Sequence, residues 1–373
     1  MTQGGRQART WPQDAQARTW PQDSQARTWP QDPEAASWPQ DSQARTWPLE
    51  AEPRSSTVLG LDLGGTSIKW VTLADGQVVR KGRVPTPHSG VDDVLGALAE
   101  VAAQVPEARA IGVAAAGALD PVAGRLLVVP NIAGDWSVRA VGPELADATG
   151  RPVNLANDAR AFAYGQLRHG AAAGASDAIF VTLGTGIGGA IASDGQLRMG
   201  RARRGGEIGH MPIEPVDGRR CGCGSVGCLE TIAGGRALAE MGADLVRTGA
   251  SPALAAAVGG QPEAVEPADV VRLAPVDPAC ARLVARAGHA LGIALAGLAN
   301  ALAPEVIVVG GGVAAGLPAF RPQIDEVMSR YTVLVEAPRI LTAVDGFAGA
   351  VGAAAWAAEP PAGYPAPIQP GGH

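Results

Sequence analysis

Cys221, Cys223 and Cys228 fall within eight positions, and His210 stands eleven residues before the first of them. Three thiolates and one imidazole make a complete tetrahedral shell for zinc. Glycines 222, 224 and 227 let the backbone turn tightly enough for closely spaced sulfurs to converge on one ion. A shell filled by protein on all four sides leaves no position for water, so such a metal is structural. A disulfide is the competing reading. A Cys221–Cys223 bridge is geometrically awkward, and three cysteines cannot pair completely among themselves. The N-terminus carries no apolar signal core, so a reducing, cytoplasmic compartment with free thiols is expected.

Two carboxylates, Glu207 and Glu230, flank this cluster without being needed by it. A third, Asp158, follows Asn157 where an apolar run meets a helical pattern. A carboxylate there serves equally as a helix cap or as a base at a strand end. A fourth, Asp62, precedes Gly64-Gly65-Thr66, a turn between two apolar runs. No helix follows these glycines, so this is not the familiar P-loop. The turn can still offer N–H groups and a hydroxyl to a phosphate. Asp62 could hold Mg²⁺ directly or through water, and Lys69 adds positive charge. An ordinary hairpin turn is the plainer reading of the same residues. The plan of strand, Gly/Thr turn, strand and hairpin returns about 120 residues later, around Thr185-Gly186. Gly310-Gly311-Gly312 closes another apolar run, where three glycines let a ligand approach the backbone.

Elements to position these groups are legible from periodicity. Val58–Leu63, Ile68–Leu73 and Gln77–Arg80 read as strands, with Asp75-Gly76 as a hairpin turn. Helices are expected over Val91–Gln104, Val141–Thr149, Ala233–Arg247, Pro278–Ala303, Phe320–Tyr331 and Gly349–Ala358. Further strands are expected over Arg109–Ala116, Pro152–Leu155, Ala178–Leu183, Glu305–Val309 and Ile340–Val344. The stretch Ser251–Asp269 reads as an irregular surface connection. Alternating strands and helices indicate a mixed or parallel sheet with ligands at strand carboxyl ends. Two copies of one unusual unit indicate two related domains facing each other across a cleft that can clamp a nucleotide's phosphates.

With 373 residues the chain can build two domains. A net charge of −6 argues against a nucleic-acid surface. No apolar run reaches the roughly 18 residues that span a bilayer, so no membrane partner is expected. Residues 1–54 hold a nine-residue repeat in which Trp11, Trp20, Trp29, Trp38 and Trp47 each precede proline. That unit matches neither helix nor strand and reads as disordered, either a docking tail or an expanded low-complexity tract.

In combination these residues resemble the ROK family of repressors, open reading frames and sugar kinases, over about residues 57–357. The carriers are LDLGGTSIK, NDARAFAYGQ, TLGTGIGGA, GEIGH with CGCGSVGCLE, and VVGGGV, in that order. The catalytic segment departs from the family's pattern, usually written with asparagine, where Ala159 and Arg160 begin to diverge. The resemblance implies an α/β, two-domain, actin-like ATPase (ribonuclease H-like) sugar-kinase fold with a cleft between the domains. It divides the chain into a small domain over 55–157, with helix 345–358 returning to it, and a large domain over 158–344 with the zinc loop. A disordered tail over 359–373 completes the expectation.

The same resemblance implies transfer of the ATP γ-phosphoryl to a hexose 6-hydroxyl, glucose first, with Asp158 as general base. Asn131, Asn157, Asp158, Glu207, His210 and Glu230 would hold the sugar. Asp62, Gly64, Gly65, Thr66, Lys69, Thr185, Gly186, Gly311 and Gly312 would hold the nucleotide and Mg²⁺. His210, Cys221, Cys223 and Cys228 would hold structural zinc, His210 facing the sugar with its other ring nitrogen. The cysteine cluster favours ATP over polyphosphate as donor, and a homodimer is implied. Alternatives are a kinase for N-acetylmannosamine, N-acetylglucosamine, fructose, mannose or allose, and a non-catalytic sugar sensor. A repressor would carry a helix-turn-helix where this chain has its Trp-Pro repeat.

Overall fold

The computed structural model describes residues 56–130, 132–333, 336–343 and 345–372. The Trp-Pro repeat and Asn131 lie outside the described residues. Strand β1 (Val58–Leu63) turns at Gly64-Gly65-Thr66 into β2 (Ser67–Ala74), which turns again into β3 (Gln77–Pro85). The second turn places Asp75 and Gly76 at φ 51° and 76°, the pair of positive angles whose twist matches the flanking strands. Helix α1 (Val91–Ala103), strand β4 (Ile111–Ala115), a small hairpin β5 (Ala118–Asp120) with β6 (Arg125–Val128), helix α2 (Val141–Thr149), strand β7 (Val153–Asn157) and helix α3 (Asp158–His169) come next. The sheet order is β3-β2-β1-β4-β7, with β1, β4 and β7 parallel.

The second half repeats the plan. Strands β8 (Ala178–Leu183), β9 (Ile187–Ser193) and β10 (Gln196–Leu197) form a meander, with Asp194-Gly195 at φ 54° and 68°. Helices α4 (Glu230–Ala233), α5 (Gly235–Arg247), α6 (Pro252–Ala257), α7 (Pro267–Leu273) and α8 (Pro278–Leu302) lead to β11 (Val306–Gly310). Helix α9 (Leu317–Tyr331), strand β12 (Arg339–Ala343) and helix α10 (Ala348–Ala358) complete it. This sheet has the order β10-β9-β8-β11-β12, strand for strand the counterpart of the first.

Alternation along the strands sorts side chains into three cores. Leu59, Leu61 and Leu63 face α1 and α2, whereas Ile179, Val181 and Leu183 face α8 and α9. Between the sheets lies a layer made of α3 and α10, with Val58, Phe180, Val306 and Trp356 buried together. The two helices approach so closely that a Cβ at Gly352 would stand 1.7 Å from the Ala161 carbonyl oxygen. The alanine-rich faces of these helices permit that approach.

Three expectations are corrected. The stretch 251–269 is not irregular: Ser251 caps α6 by accepting from Leu254 N, and Leu254 is fully buried. Both α6 and α7 open on proline at their first position, a start signal that was present in the sequence. They are too short for periodicity to reveal. Helix α8 has the length and composition of a membrane span, but it packs in the core against α7 and α9.

The third correction concerns the C-terminal tail, which is ordered through residue 372. The Tyr364 hydroxyl donates to the Leu155 carbonyl at 2.6 Å, and Ile368 exchanges two backbone hydrogen bonds of 2.9 Å with Val153. Tyr364 also meets Trp356 edge-on at 4.8 Å. β7 is an edge strand with unpaired backbone groups, and the tail covers that edge. Proline and glycine hid this segment from periodicity, yet Tyr364 and Ile368 are its anchors. Replacing Tyr364 by alanine should cost about 2–3 kcal/mol in a denaturant melt, by loss of packing and one hydrogen bond. A disordered tail would give no change.

Candidate active site

Asp62 is the penultimate residue of β1 and lies opposite Lys69 in the β1–β2 register. The turn after it is pinned by Thr86, a buried residue between two prolines. Its hydroxyl donates to the Gly64 carbonyl at 2.7 Å, and its N–H donates to the Thr66 carbonyl at 3.1 Å. Thr66 itself is exposed at the tip. Burial pushes the Asp62 carboxyl up to about 6, with Asp158 adding to the rise and Lys69 opposing it. A buried carboxyl whose ionisation a second carboxylate opposes is suited to a cation.

The raised value has a consequence for stability. The unfolded chain ionises Asp62 near the usual 3.8, whereas the folded protein keeps it protonated to about 6. As pH rises between these values the folded state therefore loses stability relative to the unfolded one, and the loss is complete above about 6. Asp62→Asn should accordingly raise the neutral-pH stability of the metal-free protein by up to ~3 kcal/mol, at about 1.4 kcal/mol per unit. Melts at pH 7.5 and below pH 4 check this: the gain should vanish at the acid end.

Asn157 ends β7 and Asp158 begins α3. The cap is Asn157 rather than Asp158, because the Asn157 side chain accepts from Arg160 N at 3.3 Å. Asp158 is thereby released from capping. Its Oδ1 accepts from Ala159 N at 2.8 Å and from Asn157 Nδ2 at 3.0 Å. These bonds hold the carboxyl in one rotamer and leave Oδ2 for another donor. Burial raises its proton affinity; the Ala159 N–H and Arg160 lower it, and Glu207 raises it.

The second glycine turn carries Thr185, exposed, and Gly186, and it is tied to α5 by two hydrogen bonds of 2.9 Å, Gly235 N to Gly184 O and Arg236 N to Thr185 O. Any larger residue at Gly186 would displace the Glu230 carboxylate, because a Cβ there would lie 2.1 Å from Glu230 Oε2. That oxygen accepts from Ile187 N at 2.9 Å, so the second glycine turn and the Glu230 carboxylate are one unit. Gly311, at φ 93°, folds β11's end over Leu183 at the end of β8, and Gly312 stands in open space.

The His/Cys loop is zipped to itself by bridges Pro212–Cys228 and Arg220–Val226. The four ligand atoms of His210, Cys221, Cys223 and Cys228 all lie within 4.8 Å of one another. Cys221 Sγ is 3.6 Å from His210 Nδ1, and Cys223 Sγ is 3.7 Å from Cys228 Sγ. Zinc–ligand bonds of about 2.3 Å to sulfur and 2.0–2.1 Å to nitrogen set tetrahedral edges of about 3.5–3.8 Å, which these separations match. The cysteines are free thiols rather than disulfides. Burial drives Cys228 up to about 12, while the Ser225 backbone and Cys221 bring Cys223 down to about 7. A central cation would deprotonate all three. The residues fit zinc. His210 turns Nδ1 toward the sulfurs, leaving its other nitrogen outside the shell.

Asp158 thus acts on the field at Asp62, Glu230 joins the second glycine turn to the cysteine loop, and Glu207 joins α3 through Arg160, whose Nη2 donates to Glu207 Oε1 at 2.9 Å. Three contributors were not singled out from sequence as site residues: Thr86, Gly349 and Arg160. Gly349, in the first turn of α10, leaves room for Asp62, whose Oδ2 would be 2.8 Å from a Cβ there. Only Arg160 had left a sequence signal, as the departure from the family's segment.

The profile of the ROK family matches residues 58–359. A glucokinase of Thermotoga maritima is 34% identical over 281 residues, spanning 73% of this chain and 87% of that one. The crystal structure of a ROK hexokinase from Thermus thermophilus superposes with a TM-score of 0.68 at 38% identity, covering 81% of this chain and 97% of that one. A ROK family glucokinase from Streptomyces griseus, solved in complex with glucose and AMPPNP, gives a TM-score of 0.69 at 33% identity, covering 81% and 99%. The α/β fold is that of these ROK sugar kinases.

Proposed function

Since the chain belongs to the ROK family, we propose that it is a glucokinase, transferring the γ-phosphoryl of ATP to the 6-hydroxyl of glucose. The observation that carries the mechanism is Asp158 at the start of α3, with Oδ1 fixed by two donors. Its Oδ2 takes the proton of the 6-hydroxyl as that oxygen bonds to the γ-phosphorus and the bond to the departing ADP oxygen breaks. Phosphoryl transfer asks for alignment and charge neutralisation more than covalent help. A neutral hydroxyl nucleophile needs a base within hydrogen-bond reach.

Asn157, Glu207, His210 and Glu230 orient the sugar, as would Asn131. The turns at Gly64-Gly65-Thr66, Thr185-Gly186 and Gly311-Gly312 receive the nucleotide, with Lys69 near the phosphates. Asp62 would hold Mg²⁺, which supplies charge neutralisation at the phosphate oxygens. His210, Cys221, Cys223 and Cys228 would hold structural zinc, fixing the loop that aims both glutamates. We divide the body at Asn157–Asp158, with α10 belonging to the first lobe, so that the two lobes close on the substrates and exclude water. The working state is a cytoplasmic homodimer.

A coupled ADP-release assay with Mg-ATP and a hexose panel tests this reading. Turnover on glucose should exceed that on N-acetylmannosamine, N-acetylglucosamine, fructose, mannose and allose. A preference for an N-acetyl sugar would keep the chemistry and overturn the substrate. Absence of turnover on every sugar would leave a sugar sensor.

A further inference from the structure

We propose that Arg160 is a positioning residue of the sugar site, clamping the Glu207 carboxylate to the Gly205 backbone and to the helix that carries Asp158. This role rests on the kinase reading and adds a part of that site which the reading did not need. Arg160 is only 8% exposed, an unusual burial for a guanidinium. Its Nη2 donates to both Gly205 O and Glu207 Oε1, each at 2.9 Å. Its own N–H is held by the Asn157 cap. One side chain thus spans from α3, two residues after the base, to the loop that carries the glutamate.

Glu207 needs such a clamp. Its side chain is half exposed, it follows Gly205-Gly206, and among the described residues its one side-chain hydrogen bond is to Arg160. Gly206 stands at φ 86°, and a glycine at that angle does little to restrain the residue after it. Left alone, the glutamate would sample several rotamers, and ordering it would fall on sugar binding. Arg160 occupies Oε1 and leaves Oε2 to accept from a sugar hydroxyl. A purely structural role fits poorly, because Arg160 Nε is buried without a partner among the described residues. An apolar side chain of similar volume would avoid that cost.

Four variants test this: Arg160→Met, Arg160→Lys, Glu207→Gln and the Met/Gln double. Arg160→Met should raise the glucose KM by about 10–100-fold, the range for groups that orient a ligand-binding side chain. The KM for ATP should stay within about twofold, because the nucleotide turns lie elsewhere. In the Glu207→Gln background the Met substitution should add less than about threefold, since both act through one carboxylate. Lysine keeps the charge without the planar fork, so it should recover part of the lost affinity. If Arg160→Met does not fold, Arg160→Lys is read in the same way against Glu207→Gln.

An active parent whose Arg160 variants keep the parental glucose KM overturns the proposal alone. Equal losses for both substrates, multiplying independently with Glu207→Gln, overturn it as well. A parent without turnover on any hexose overturns the kinase reading instead. Glucose Kd by calorimetry then tests the clamp, and variants that bind glucose as the parent does, including no binding by either, overturn the clamp too.

Discussion

Asp158→Asn is expected to lower kcat by about 10³-fold or more while glucose Kd stays within about threefold. General-base catalysis contributes typically about 10²–10⁴-fold, and Asp158 is the group we propose as the proton acceptor for the hydroxyl. Asparagine keeps the shape of the carboxylate, and its Oδ1 can still accept from Ala159 N and Asn157 Nδ2. The helix start is held by the Asn157 cap, so the fold should not change. The sugar contacts proposed for Glu207, His210 and Glu230 should remain. Single-turnover kinetics with calorimetry separate the outcomes. A variant retaining more than a tenth of parental kcat would remove Asp158 from the mechanism, and one losing glucose binding in proportion would make it a binding group.

The second large effect is loss of the metal. Each purified chain should contain about one zinc ion, and Cys228→Ser or exhaustive chelation should lower kcat/KM for glucose by about 10²–10⁴-fold. That magnitude comes from geometry. Cys228 lies two residues before Glu230, and His210 three after Glu207, so one ion would fix the loop under both carboxylates. A hydrogen bond to a charged group contributes about 1.5–3 kcal/mol, and two such bonds would lose their alignment together. The main melting transition should move less than activity does, because none of the four ligands belongs to the three hydrophobic cores, which the loop meets through Ile208, Met211, Ile213 and Leu229. Metal analysis showing no zinc, or a zinc-free protein with parental glucose KM, would rule out this role.

Much of the architecture was readable because apolar spacing is a local property. The helix over Val141–Thr149 and the strands around both Gly/Thr turns needed only their own side-chain pattern and their flanking glycines. The duplication was legible for the same reason, since strand, turn, strand and Asp-Gly recur in the same order. Short elements escaped. α6 spans six residues, less than two turns, so its Ser-Pro start was the only signal it carried. The tail escaped because its order comes from another strand's open edge, which no local pattern records.

The chemical inventory was set by the sequence: a His/Cys₃ ligand set, four carboxylates, three glycine turns, and the order in which they occur. Residue type and spacing decide which groups are acids, ligands or flexible turns, and these are properties of a chain before it folds. Tertiary structure alone decided which of them meet. It made Asn157 the cap and so freed Asp158, because a helix start has one cap position and the backbone angles fill it. It set Gly186 against Glu230, Thr86 under the first turn and Arg160 against Glu207, pairs separated by 22 to 47 positions. It also placed half-buried Asp62 within electrostatic reach of Asp158, which adds to the proton affinity of Asp62. Distances, burial and charge fields depend on through-space neighbours, and only packing of both sheets around α3 and α10 creates those neighbours.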